Sequence, residues 1–159
     1  MEVWELPRLV EGGVKAFLTV GLPGCGKSTF AKKYKGKLID INLDQCRDMV
    51  NGSEEDQSNI MEVLAYRNSL IEQAALHGAD IIISDTNLNP EFRKQLIDQL
   101  KKLGFEVTIV HFKTSLEICK SRNLGRDRQV PDEIMEQMED LRVQHPIGQD
   151  EGDFYLEVA

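Results

Sequence analysis

Residues 21–28 read Gly21-Leu22-Pro23-Gly24-Cys25-Gly26-Lys27-Ser28, a pair of glycines five apart followed by a lysine and a hydroxyl. The pattern is G-x-x-x-x-G-K-S. Glycines at these positions let successive backbone N–H groups turn inward, and such a concave row of donors suits a chain of phosphates. Lys27 has the reach and charge for β- and γ-phosphates, and the Ser28 hydroxyl can ligate Mg²⁺. The candidate contact set is Gly24, Cys25, Gly26, Lys27, Ser28 and Thr29, with Cys25 as a small spacer rather than a nucleophile. The alternative is a glycine turn that merely caps a helix.

Three further segments carry groups that phosphoryl transfer can use. In Asn42-Leu43-Asp44-Gln45-Cys46-Arg47, Asp44 and Arg47 share a face if a helical turn starts there. A carboxylate can take the proton of an attacking hydroxyl, and an arginine can hold an anionic acceptor through two bonds. The alternative makes Asp44 a helix N-cap and Arg47 a surface charge. Ser84-Asp85-Thr86-Asn87-Leu88-Asn89-Pro90 follows an apolar run. Asp85 is placed like a carboxylate that assists Mg²⁺ or orients Arg47. Thr86 and Asn87 could bind phosphate or sugar, while Asn89-Pro90 reads as a helix cap. From Lys113 to Arg128 there are five bases (Lys113, Lys120, Arg122, Arg126, Arg128) against two acids. Arginines that close over a nucleotide can neutralise charge on the transferring group.

These groups need elements to position them. Apolar, β-branched runs at Lys15–Val20, 37–42, 80–84 and Glu106–Phe112 read as strands. Helical patterns at 27–34, 56–77, Pro90–Leu103, 115–122 and 132–143 alternate with them, and Phe154–Val158 reads as a last strand. Strand and helix in alternation mean an α/β fold with a mainly parallel sheet. Ligands of such sheets sit at the carboxyl ends of the strands, where the phosphate loop and the other polar segments fall.

The chain has 159 residues and a net charge of −8, enough for a single domain spanning 1–159. All of that charge lies beyond residue 131: nine acids against Arg142, while residues 1–131 balance 18 against 18. A local basic channel is therefore compatible with the acidic total, and a broad non-specific DNA-binding surface is not. The acids of 132–159 are expected to face away from that channel, with Ile134, Met138 and Leu141 packing the last helix on the core. No apolar run is long enough to span a membrane, and the first residues do not form a signal peptide. Cys25, Cys46 and Cys119 are scattered and do not group with His77, His111 or His145 into a zinc or disulfide pattern. A reduced, cytoplasmic setting is the expectation.

Together, GLPGCGKSTFAKK (21–33), NLDQCR (42–47), ISDTNLNPE (83–91) and RNLGRDRQVP (122–131) resemble the polynucleotide 5′-hydroxyl kinase family, the kinase part of phage and bacterial nucleic-acid end-healing enzymes. The resemblance runs from about Phe17 to about Leu141. It implies a three-layer P-loop kinase fold with an arginine-bearing lid. It also implies Lys27 and Ser28 on ATP (or another NTP) and Mg²⁺, Asp44 as base on the acceptor 5′-OH, Arg47 on the acceptor phosphate and Asp85 as a supporting carboxylate. Alignment on Arg122-Asn123 makes Arg126 the lid arginine, while Asp127-Arg128-Gln129-Val130 also looks like a family element, so Arg122, Arg126 and Arg128 compete. Residues 1–14 have no counterpart. With no phosphatase or ligase module in the sequence, such a partner activity is expected on another chain, and a homo-oligomer is left open. The expected activity is transfer of the ATP γ-phosphate to the 5′-OH of DNA or RNA. The alternatives are a P-loop kinase for a small metabolite or antibiotic, and a nucleotide-dependent switch.

Overall fold

The computed structural model describes residues 13–158. Residues 1–12 and Ala159 lie outside them. The element order is β1 (Val14–Val20), α1 (Lys27–Lys33), β2 (Ile39–Ile41), α2 (Leu43–Asn51), α3 (Ile60–Leu76), β3 (Ile81–Ile83), α4 (Pro90–Lys102), β4 (Phe105–Phe112), α5 (Leu116–Leu124), α6 (Asp132–Gln144) and β5 (Phe154–Val158). The strands form one five-stranded sheet in the order β2-β3-β1-β4-β5, every pairing parallel. This is the α/β architecture read from the sequence.

The sheet core follows from residue type. Every residue of β1, β3 and β4 is buried, as strands covered on both faces require. Ala16, Leu18, Val20, Ile81, Ile82, Ile83, Val107, Ile109 and Val110 have no exposed surface. Helices start where a polar side chain satisfies their first amides. Asn42 accepts from Gln45 N at 2.9 Å, Asn89 from Glu91 N at 3.0 Å with Pro90 beside it, and Ser115 from Ile118 N at 3.3 Å.

One alternative falls away and two expectations change. Residues 43–51 form a helix of their own, capped by Asn42, so Asp44 lies in its first turn and is not the cap. The next helix begins at Ile60 rather than 56: Asp56 accepts from the Ser58 amide at 2.9 Å and hydroxyl at 2.6 Å, and that local turn competes with helix. In α6 the fully buried residue is Met135, with Met138 half-buried against the core and Ile134 38% exposed. Ile134 turns instead toward the cleft described below.

Parallel strands put all five carboxyl ends at one edge. Chain leaving β1 crosses to β2, and chain leaving β4 crosses to β5, on opposite sides of the sheet. The crevice between the ends of β1 and β4 is the place where such sheets bind ligands.

Candidate functional site

A cavity of about 1430 Å³ opens at that edge. Its wall takes residues from each segment singled out above: Gly24 to Phe30 after β1, Asp44 and Arg47 in α2, Ser84 to Thr86 after β3, and Arg122, Arg126 and Arg128 around the end of α5. None of the acids beyond residue 131 lines it.

The phosphate loop leaves β1 at Gly21, whose N–H donates to Thr86 O at 3.1 Å. Gly24 and Gly26 take φ of +79° and +107°, a region L side chains rarely occupy. A Cβ on Gly24 would stand 2.7 Å from Cys119 O, so sterics as well as torsion demand glycine there. The Lys27 ammonium is curled into the loop, donating to Leu22 O at 2.6 Å, Gly21 O at 3.2 Å and Cys25 Sγ at 3.4 Å. Burial pulls its pKa below the ordinary lysine value. Cys25 is buried, while Ser28 and Thr29 are exposed to the cavity.

Opposite the loop, two arginines meet on one carboxylate oxygen. Oδ1 of Asp44 accepts from Arg47 Nη2 and, at 3.2 Å, from Arg128 Nη1. Arg47 also donates to Glu54 O at 2.7 Å, and Arg128 Nε lies 3.7 Å from Glu55. Arg128 is thus held on the α2 side of the cleft. Arg122 is on the other side, its Nη1 3.9 Å from where a Cβ on Gly26 would stand.

Asp85 sits between the two sides. Its Oδ1 accepts from Leu43 N at 3.0 Å, which ties the strand end to the start of α2. Its Oδ2 is buried without a hydrogen-bond partner. Burial pushes the carboxyl up to about 6, against the pull of the Leu43 amide and the Arg67 charge. The orphaned oxygen, with Ser28 on the same cavity, is an oxygen-only donor pair of the kind Mg²⁺ takes alongside water and phosphate. The residues present therefore fit the ion. Thr86 is among the residues lining the cavity and Asn87 is not; the Asn87 amide donates to Thr19 O at 2.8 Å and so ties the loop to β1.

Two residues near the site were not singled out by sequence. Arg67 opposes Asp85 from α3, half-buried, with its Nε lacking a partner. The signal was present: it sits four residues after buried Val63 and four before buried Ile71, on the face a helix turns to the core. Asn123, 2% exposed, clasps the backbone of Val130 from both sides, donating to its oxygen at 2.7 Å and accepting from its N–H at 2.9 Å. That clasp closes the loop carrying Arg126 and Arg128.

Parallel sheet, phosphate loop and cationic cleft define a P-loop kinase. The chain belongs to the AAA_33 family of AAA domains, whose model matches residues 17–145. It is 27% identical over 126 residues to an L-seryl-tRNA(Sec) kinase of Methanococcus maripaludis, covering 76% of this chain and 49% of that one. It is 32% identical over 131 residues to an Autographa californica nuclear polyhedrosis virus protein assigned as a bifunctional polynucleotide kinase/RNA ligase, covering 70% of this chain and 18% of that one. This chain thus spans about half of the first relative and under a fifth of the second. Among solved structures, the Pnkp1/Rnl/Hen1 RNA repair complex contains a chain of the same fold: TM-score 0.75, 18% identity, 83% of this chain and 45% of that one. Membership in this family carries nucleotide binding through the phosphate loop. No described helix is long and apolar enough to cross a membrane.

Proposed function

We propose that this kinase transfers the γ-phosphate of ATP to the 5′-hydroxyl end of DNA or RNA. The observation that carries the reading is the Asp44 carboxylate, facing the phosphate loop across one cavity with Arg47 and Arg128 on its Oδ1. A base flanked by two guanidinium groups suits a hydroxyl whose own molecule is anionic. Asp44 takes the proton of the attacking hydroxyl. Arg47 holds the phosphate on the 3′ side of the nucleotide being modified. Lys27 leaves its carbonyl partners for the β- and γ-oxygens, and Arg122 and Arg126 meet the donor phosphates from the lid. Ser28 and Asp85 would hold Mg²⁺, which when bound neutralises charge on the donor phosphates. Asp85 also keeps the start of α2, and with it Asp44 and Arg47, in register with β3. Phe30, Phe112, Met138 and Val158 give the cavity an apolar wall for a base or sugar.

The archaeal relative favours a second reading, in which the acceptor is a hydroxyl on an aminoacyl-tRNA. One assay separates them: labelled ATP with 5′-OH oligonucleotides, seryl-tRNA, nucleosides and sugars. The expected result is transfer to oligonucleotide ends far above transfer to nucleosides or sugars. Label on seryl-tRNA alone, or on a sugar alone, overturns the proposal.

A further inference from the structure

The acidic stretch beyond residue 131 reaches the site without touching the cavity. Arg93 in α4 is 2% exposed. Its Nε and Nη2 lie 2.7 and 3.2 Å from the two carboxylate oxygens of Glu151. The other end of the guanidinium, Nη1, donates to Asn87 O at 2.8 Å and Leu88 O at 3.3 Å. Glu151 is fixed in turn by the Gly148 N–H at 2.6 Å. Two residues on, Asp153 is zipped to Val107 of β4 through its backbone N–H at 2.7 Å and its carboxylate at 2.9 Å.

What Arg93 grips matters more than the pair itself. Asn87 stands at φ +48°, a conformation that is uncommon away from glycine and persists when the surroundings enforce it. Its side chain donates to Thr19 O, one residue before the end of β1. The Thr19 hydroxyl lies 2.8 Å from Asp85 O and 3.1 Å from Ile83 O, its one proton going to the nearer or shared between them. Thr86 O receives the Gly21 N–H. A continuous chain of bonds therefore runs from Glu151 through Arg93 and Asn87 to the first residue of the phosphate loop, with Asp85 and Thr86 inside it. An apolar residue would fill this part of α4 at lower desolvation cost. A guanidinium is the group that can hold two carbonyls with one edge and a carboxylate with the other.

We propose that Arg93 and Glu151 are positioning residues for phosphoryl transfer: they hold the 84–88 loop so that Asp85 and the phosphate loop keep one mutual register. Misplacement of reacting groups by about 1 Å is enough to cost on the order of 10²-fold in rate. The kinetic part rests on the reading of this site as a nucleotide-dependent kinase; the structural part does not.

The test uses the full chain with Glu151→Gln and Arg93→Lys, the second keeping both charges while giving up the two-edged grip. Asp150→Asn, an exposed neighbour, is the control. At a temperature well below melting, both variants should lose about tenfold in kcat, with nucleotide affinity within about threefold of the parent. The Gly21 amide should exchange hydrogen at least tenfold faster. Asp85→Asn should cost less in the Glu151→Gln background than alone, since a residue already out of register has less to lose. Lower melting temperatures with kcat within twofold and unchanged Gly21 exchange would make the pair a stability brace only and overturn the proposal. If the parent protein phosphorylates no 5′-OH end, Gly21 exchange and the rate of nucleotide hydrolysis still decide it. A failure of the acceptor reading is thus distinguishable from a failure of this one.

Discussion

Arg128 Nη1 lies 3.2 Å from Asp44 Oδ1, joining residues 84 positions apart across the mouth of the cleft. The loop after α5 therefore reaches the Asp44 side of the cleft through Arg128, while Arg122, in the last turn of α5, lies beside Gly26 of the phosphate loop. Arginines that look interchangeable in sequence have different neighbours in the fold. Arg128→Gln is expected to raise the oligonucleotide KM about tenfold while leaving ATP affinity within a few-fold, one charge-assisted contact being worth about 1.5–3 kcal/mol. Steady-state kinetics and fluorescent-nucleotide binding check it. A weakened ATP affinity with normal acceptor KM would move Arg128 to the donor side.

Lys27→Ala removes the charge that the proposed function assigns to the β- and γ-phosphates. Transfer should fall at least ~10²-fold, about 3 kcal/mol of transition-state stabilisation. The variant also leaves Gly21 O and Leu22 O without the ammonium whose hydrogen bonds they accept, so folding is measured beside activity. Circular dichroism and single-turnover transfer measure the two halves.

Asp44→Asn keeps the shape of the side chain and its acceptor oxygen but removes proton acceptance. The expectation is a loss of kcat of about 10²-fold or more with nucleotide binding intact. Retention of most of the turnover would show that Asp44 serves the arginines rather than the hydroxyl.

Nucleoside 3′-monophosphates should outperform free nucleosides as acceptors by roughly 10- to 100-fold in kcat/KM, through Arg47. Arg47→Lys should erase much of that advantage, since a lysine cannot span two phosphate oxygens. Base identity should matter little, because a phosphate contact carries no sequence information. Comparing the same base with and without the 3′-phosphate isolates the contact.

Asp85→Asn should separate stability from activity. Burial lifts the carboxyl from 3.8 to about 6 in the folded protein, so the folded state binds its proton more tightly than the unfolded chain does. Above pH 6 the ionised form destabilises the fold by about 3 kcal/mol, and below pH 4 the penalty is gone. At pH 8 with chelator present, the variant should melt several degrees above the parent, and the gap should close as the pH falls through 6 toward 4. Transfer should drop in the same variant. A lower melting temperature at pH 8 contradicts the expectation.

Much of this site was legible because its signals are local. The G-x-x-x-x-G-K-S loop, the Asn89-Pro90 cap, the unbroken apolar run of β3 and the β-branched, mainly apolar segments of β1 and β4 each depend on residues within a few positions. What escaped depends on pairings that no window contains. Ile134 and Met135 are adjacent and both apolar, and only the position of α6 over the sheet decides that Met135 is buried while Ile134 faces the cleft. The start of α3 was misplaced because Asp56 and Ser58 bond to each other instead of entering the helix. Asn87 had the chemistry of a ligand-binding amide, and its use on Thr19 O follows from a strand 68 residues earlier. Glu151 stood in a stretch whose charge suggested a solvated surface, and its partner lies 58 residues back in α4.

The central place of β1 in the sheet has a consequence for how the molecule is made. β1 is among the first described residues to leave the ribosome, yet its two neighbours are β3 and β4, and the carboxylate that accepts the Lys15 N–H belongs to Asp80, 65 residues later. Sheets closed by such distant contacts form slowly, because chain entropy is lost before the contacts return it. The Gly21 N–H at the start of the phosphate loop has its acceptor, Thr86 O, only once the segment after β3 is in place. ATP in the surrounding solution therefore meets a loop anchored at Gly21 only after the middle of the chain has folded, and by mass action it then favours that folded state over the unfolded one.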